Sequence, residues 1–227
     1  MSWQQTAQAA AELVLGATCP GCRCSGLGLC DRCLAAIRAV RPFRAAELTG
    51  LPPVYAAGPY AGVLRDVLIA AKERSALGLL PILAERLVAA LAALLLAIPS
   101  SPLPPVQLVN VPTLRARAAE RGVDHTRELT RLAAVRLRRL GVAVTARPLL
   151  MIQRRPQDQS ELTRDQRWHN LEGAFRARSV GSMPVVLVDD IVTTGATLAE
   201  AVRACQVAGG VVLGCVTVAA TAKGGPC

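Results

Sequence analysis

The chain has 227 residues, enough for one ordinary core with a small appendage, and is 52% hydrophobic but only 3% aromatic, so the core must be built from Ala, Leu and Val. It carries 26 basic against 16 acidic residues, a formal charge of +10, which would attract phosphates, nucleic acid or an anionic membrane and equally fits a solvated arginine-rich surface. The scarcity of aromatics argues against a platform that stacks bases.

The first stretch, "MSWQQTAQAAAELVLGATC", lacks the basic start and long apolar centre of a secretory signal, so we read residues 1–18 as a helix of the mature protein. Next comes "CPGCRCSGLGLCDRC", with Cys19 and Cys22 two residues apart and Cys30 and Cys33 spaced alike. Each such pair makes a tight turn that aims two thiolates at one point, and two turns make a tetrahedral site for zinc. Cys24 competes with Cys22 for one position. A redox pair or disulfides are the alternatives, disfavoured by the absence of a thioredoxin-like pattern around the cysteines. Four protein ligands leave no place for water, so the metal's role would be structural. Cys205 and Cys215 stand in apolar contexts and read as packing residues, Cys227 as inert, and cysteine usage as a whole suits the reducing cytoplasm.

We place a module boundary at residue 50, with a helix and zinc module over 1–50 and the main domain over 51–227. The pattern "LRDVLIAAK" puts Leu64, Val67, Leu68 and Ala71 on one helical face, and a second helix covers about 79–97. Its stretch "LVAALAALLLAI", closed by Pro99, is shorter than the ~20 residues that cross a bilayer, so it reads as a buried helix with no membrane insertion. After the break "PSSPLPP", "VQLVNVP" reads as a strand and 125–140 as a helix with Leu129, Leu132, Val135 or Arg136, and Leu140 as its apolar stripe. Strands follow at 142–149, 185–188 and 211–220, with a helix over 197–208 that ends on Gly209 and Gly210. Strands alternating with helices, several of them continuous apolar runs, predict an α/β fold: a parallel sheet with helices on both faces.

The run "VVLVDDIVTTGATLAEA" carries the chemistry. In a parallel sheet, ligands bind beyond the carboxyl ends of the strands, where Asp189 and Asp190 should sit. The following loop can aim backbone N–H groups and the hydroxyls of Thr193, Thr194 and Thr197 inward at a helix start, an arrangement that binds an anion, and Gly195 allows close approach. Acids beside an anion cradle suit a sugar phosphate: the phosphate takes the loop, the ribose hydroxyls donate to the acids, and Mg²⁺ can bridge to further phosphates.

"VVLVDDIVTTGAT" resembles, position by position, the 5-phosphoribosyl diphosphate (PRPP) loop of the type I phosphoribosyltransferases. The resemblance implies that Thr193, Thr194, Gly195, Ala196 and Thr197 hold the ribose 5-phosphate and that Asp189 and Asp190 meet the ribose hydroxyls. Purine-salvage members usually carry an acid where Thr193 stands and a Lys where Ala196 stands, so a standard hypoxanthine or guanine enzyme is disfavoured. More of the chain resembles the ComF family (competence protein F), which joins a four-cysteine zinc module to a phosphoribosyltransferase-like domain. The likeness runs through the cysteine pairs, "GPYAGVLRDVLIAAKE", "NVP", "RARAAERGVDHTREL" and "QSELTRDQRWHNLEGAF", in which Gln159, Leu162, Arg167 and Asn170 fall on the pattern. Where the family usually shows Arg-Gly-x-Asn-Gln, this chain has Arg121-Gly122-Val123-Asp124-His125.

Arg115, Arg117 and Arg121 follow a strand end and could meet a pyrophosphate, or be solvated. The polar segment 154–175 is either a cover over the site or a surface hairpin. His125 and His169, the only histidines, stand outside metal-ligand spacing. Two functions compete. One is Mg²⁺-dependent phosphoribosyl transfer to or from a nitrogenous base, with Asp190 as candidate base beside Asp189, and Lys72 or Arg117 steadying the leaving group. The other is a non-catalytic PRPP or nucleotide sensor, or a protein that binds single-stranded DNA, with Trp168 as a stacking residue; the ComF resemblance implies a link to DNA uptake in competence.

Overall fold

The structure, a computed structural model, describes residues 18–45, 50–73, 76–99, 102–113, 124–154 and 170–221. The expected N-terminal helix (apart from Thr18), Arg115, Arg117, Arg121, the 155–169 segment with Gln159, Leu162, Arg167, Trp168 and His169, and Cys227 lie outside the described residues.

In chain order the elements are α1 (Asp31–Ala39), β1 (Phe43–Arg44), β2 (Val54–Ala56), α2 (Gly62–Glu73), a 3-10 turn (Leu77–Leu79) running into α3 (Leu80–Leu96), β3 (Val106–Asn110), α4 (His125–Arg139), β4 (Val144–Ala146), β5 (Leu150–Ile152), β6 (Phe175–Ala177), β7 (Val185–Val192), α5 (Ala196–Val207) and β8 (Val212–Ala220). The main sheet has the order β1-β2-β8-β7-β3-β4, parallel throughout except for the antiparallel edge strand β1. A separate ribbon pairs β5 with β6, antiparallel. The expected α/β sheet is therefore present.

Helices lie on both faces because the central strands are apolar on both sides. Val186 and Val188 of β7 join a core with α2, α3 and α4, while Val185 and Leu187 join a second core with α5 and Phe175. Gln107, a polar residue inside β3, is buried because its side-chain amide donates to the carbonyls of Val180 and Met183, 2.7 Å each. Gly214 lets β8 approach α3: a Cβ there would stand 2.6 Å from Leu94 Cδ1 and 2.9 Å from the Pro53 carbonyl.

The helix expected around 79–97 is longer when its 3-10 turn is included. Leu77–Leu96 spans 20 residues and is apolar and long enough to cross a membrane by composition, but 61% of its apolar window is buried inside the molecule, against the sheet and α4. In α4 the stripe is shifted from expectation. Thr126, Leu129, Thr130, Ala133, Ala134 and Leu137 are buried, whereas Leu140 is 71% exposed. The helix ends one residue before Leu140, so the 3.6-residue repeat that would bury it is broken.

The strand expected at 142–149 shrinks to Val144–Ala146: the Arg147 N–H still bonds the Leu108 carbonyl of β3 at 2.9 Å, but the chain then turns, the Leu149 N–H bonding the Arg147 carbonyl at 2.9 Å. Strands β1 and β2 had no expectation: at two and three residues they are too short for alternation to register. β1 precedes residue 50, so the segment assigned to the N-terminal module supplies the edge of the main sheet. Arg86 of α3 ties the same region down, donating to the carbonyls of Arg38 and Val40 at the end of α1.

Candidate functional site

Connections leave the carboxyl ends of β3 and β7 in opposite directions: β3 feeds α4 on one face and then β4 on one side, while β7 feeds α5 on the other face and then β8 on the other side. The two strands are neighbours, so a crevice opens between their ends, the place where open α/β sheets take ligands. The acid-rich stretch forms the last part of β7 at that crevice, and the 193–197 loop follows it.

The strand is longer than the apolar run suggested. Asp189 and Asp190 lie within β7, which continues to Val192 because β8 keeps pairing with it, Asp189 opposite Thr217 and Val192 opposite Ala220. Alternation then parts the two acids. Asp190 shares the parity of Val186 and Val188 and faces α2, where Lys72 Nζ meets its Oδ2 at 2.5 Å. Asp189 shares the parity of Leu187, and its Oδ1 accepts the Asp190 N–H at 2.8 Å. Part of Asp189 remains in contact with solvent, yet enclosure of its carboxyl pushes the pKa well above the usual range; the neighbouring Asp190 adds to this, against a pull from Lys72.

After Val192 the chain turns through Thr193, exposed, and Thr194, half-buried, to Gly195 at φ 84°, the N-cap of α5. That left-handed conformation suits glycine, which has no side chain to cap the helix. Thr194 Oγ1 partly does so, accepting the Ala196 N–H at 3.4 Å. The amides of the first helical turn point along the axis toward the crevice with the helix dipole behind them. Across the crevice, Asn110 at the end of β3 donates to Asp124 Oδ2 at 3.4 Å, and Asp124 Oδ1 accepts the Arg127 N–H at 3.0 Å. Asp124 is thus the N-cap of α4, a task Asn and Asp perform equally, which accounts for an acid at this position.

Glu200, one turn into α5, is a structural anchor that sequence reasoning missed. It is 5% exposed, its Oε1 accepts the Phe175 N–H at 2.9 Å, and Arg203 grips both its oxygens at 2.6 and 2.8 Å. Arg203 also donates to the Phe175 carbonyl at 3.2 Å, so one ion pair satisfies both backbone groups of Phe175 and fixes the β5–β6 ribbon to the helix that begins at the candidate site. Burial raises the Glu200 pKa, but the Arg203 and Phe175 hydrogen bonds outweigh it and hold the carboxyl below its usual range. The signal available in sequence was an acid three residues before Arg203 on the same helix.

The second candidate site is the cysteine segment. Among the described residues, the sulfurs of Cys19, Cys22, Cys24 and Cys30 lie within 4.8 Å of one another. Cys22 Sγ is 3.2 Å from Cys24 and 3.6 Å from Cys30, close to the roughly 3.8 Å between thiolates around a tetrahedral zinc. Cys24 stands in this group where Cys33 was expected; Cys33 is buried beside it with its thiol near those of Cys22, Cys30 and Cys19. The donor set therefore fits a thiophilic ion such as zinc. The Cys24 N–H, then the Cys24 and Cys30 thiols, pull the Cys22 thiol down to about 5, while the Cys22 side chain in turn pushes the Cys24 thiol up to about 12. Cys205 and Cys215 are fully buried, as expected of packing residues, and burial pushes the Cys205 thiol up to about 11.

A cavity of about 540 Å³ opens between the cysteine segment and helices α2 and α3, lined by Leu29, Leu34, Leu79 and Ile82; none of its lining residues belongs to the β7–α5 loop.

No protein-family model matches the sequence, and no curated protein matches it significantly. Similar solved structures include an adenine phosphoribosyltransferase from Leishmania tarentolae, with 18% identity, a TM-score of 0.35, and coverage of 65% of this chain and 60% of that one. Another is the adenine phosphoribosyltransferase from Leishmania donovani, with 15% identity, a TM-score of 0.37, and coverage of 84% of this chain and 68% of that one.

Proposed function

We propose that the chain binds PRPP at the β7–α5 loop and, with Mg²⁺, transfers a phosphoribosyl group to or from a nitrogenous base, as a type I phosphoribosyltransferase-like protein of the ComF kind. The observation that carries this reading is the placement of the Asp189, Asp190 and 193–197 stretch at the crevice between β3 and β7, with a left-handed Gly195 opening α5.

In this reading the amides of Gly195, Ala196 and Thr197, with the Thr193, Thr194 and Thr197 hydroxyls, hold the 5-phosphate. Asp189, whose carboxyl keeps its proton more readily than a free Asp, can accept a hydrogen bond from a ribose hydroxyl. Lys72 fixes Asp190 in place, which makes its role one of positioning as much as of steadying a leaving group. Mg²⁺ would neutralise the pyrophosphate, and Arg115, Arg117 and Arg121, which follow β3 in the sequence, would pair with it. The cysteine cluster would hold zinc, apart from the PRPP site.

Pyrophosphate release measured across a panel of purine and pyrimidine bases, with PRPP and Mg²⁺, tests the assignment. Release with one class of base, lost in Asp190→Asn, is the expected result; PRPP binding without release from any base would leave a sensor in place of an enzyme. The sensor reading has one observation in its favour. Thr193, where a purine-salvage enzyme would carry an acid, is exposed and cannot take a proton at neutral pH. Binding of single-stranded DNA, the partner suggested by the charge of +10 and the competence resemblance, is tested by its salt dependence.

A further inference from the structure

The cysteine cluster holds more thiols than a tetrahedral ion uses. Cys19, Cys22 and Cys30 stand together, Cys24 lies on the exposed side of this trio, and Cys33 lies on its buried side. Cys24 reaches the trio through an unusual backbone: Arg23, between Cys22 and Cys24, has φ 61° and is the one non-glycine residue among the described residues in the left-handed region. Such a conformation is strained and persists where the surroundings enforce it. Two hydrogen bonds enforce it here, Arg23 N–H to the Cys19 carbonyl at 2.9 Å and Cys19 N–H to the Cys24 carbonyl at 2.8 Å. The turn therefore folds Cys24 back onto the cluster. Beneath it, Gly21 packs so closely on Cys33 that a Cβ would sit 2.9 Å from its Sγ, which holds the buried thiol against the same trio.

We propose that Cys24 and Cys33 are alternative fourth ligands of one metal ion, so that the ion held by Cys19, Cys22 and Cys30 can exchange a buried thiolate for an exposed one and be passed through Cys24 to an outside thiol or chelator. This rests on the metal reading of the cluster and not on PRPP binding. The exchange conserves charge: Cys24 gives up its thiol proton as its sulfur binds, and Cys33 takes one up as its sulfur leaves. The site is then a metal-transferring one rather than a closed structural knot.

The test is a zinc and cobalt(II) titration of the full chain and of Cys24→Ser, Cys33→Ser and the double variant. The readouts are thiolate-to-cobalt absorbance, bound metal per chain, and the rate at which a chromophoric chelator strips zinc. Each single variant should still bind one ion with an affinity within about tenfold of the parent, while the double variant loses at least another hundredfold. Stripping should slow about tenfold or more in Cys24→Ser, because the exposed exchange route is gone. An unchanged stripping rate in Cys24→Ser would overturn the proposal, and that arm decides even if Cys33→Ser does not fold. Loss of metal from either single variant, with the other matching the parent, would also overturn it in favour of a fixed set of four. A parent chain that takes up neither metal would refute the metal reading itself and leave the PRPP reading standing.

Discussion

Replacing Glu200 probes the link between the candidate site and the β5–β6 ribbon. Glu200→Ala leaves the buried Phe175 N–H without its acceptor, at about 1–3 kcal/mol. It also strips Arg203 of two charge-assisted bonds; that guanidinium is 42% exposed, so solvent screening reduces this part to about 1 kcal/mol. The sum, about 3 kcal/mol, corresponds to a fall in Tm of roughly 6–12 °C for a chain of this size. Glu200→Gln keeps an acceptor for Phe175 and gives up only the charge, so its cost should be about 1 kcal/mol. The carboxyl is held below its usual range in the folded chain, so its stabilisation is fully present above the unfolded pKa and disappears as pH falls through the folded value. Denaturant melts at neutral and acidic pH measure both effects. A loss under 0.5 kcal/mol in Glu200→Ala, or equal losses for Ala and Gln, would refute the reasoning.

Asp189→Asn should raise stability at neutral pH while abolishing PRPP binding. The folded pKa of Asp189 is raised, so ionisation works against folding as pH climbs from the unfolded value toward the folded one; thermal melts of parent and variant should diverge as pH rises and converge in acid. Gly214→Ala should cost about 1–3 kcal/mol, because the new Cβ must push Leu94 and the Pro53 carbonyl aside, and a melt equal to the parent's would show that α3 can withdraw freely. Lys72→Met removes the cation from Asp190, and isothermal titration should then report weaker PRPP binding than in Lys72→Arg, which keeps the charge.

Long apolar runs were the legible part of the fold. Val185, Val186, Leu187 and Val188 announced a strand buried on both faces, and Leu64, Val67, Leu68 and Ala71 announced a helix with one buried face, because each run is long enough to show its period. The short strands β1, β2, β5 and β6 were hidden, since two or three residues carry no period and their pairing depends on distant partners. In the candidate site the loop at 193–197 was legible from its small and hydroxylated residues. The divergence of Asp189 and Asp190 was not, because it required knowing that β8 extends β7 past the apolar run. For Glu200 only the spacing to Arg203 stood in the sequence; its contact with Phe175 was hidden for a related reason, since that partner lies 25 residues earlier in the chain.

The most direct test of the account is calorimetric titration of the metal-loaded chain with PRPP, with and without Mg²⁺, in parallel with Gly195→Val. Saturable binding by the parent and none by the variant, whose branched side chain cannot adopt the left-handed cap, is the predicted result. If the parent gives no heat with PRPP, or the variant binds as tightly as the parent, the anion does not sit at the start of α5 and the assignment is wrong.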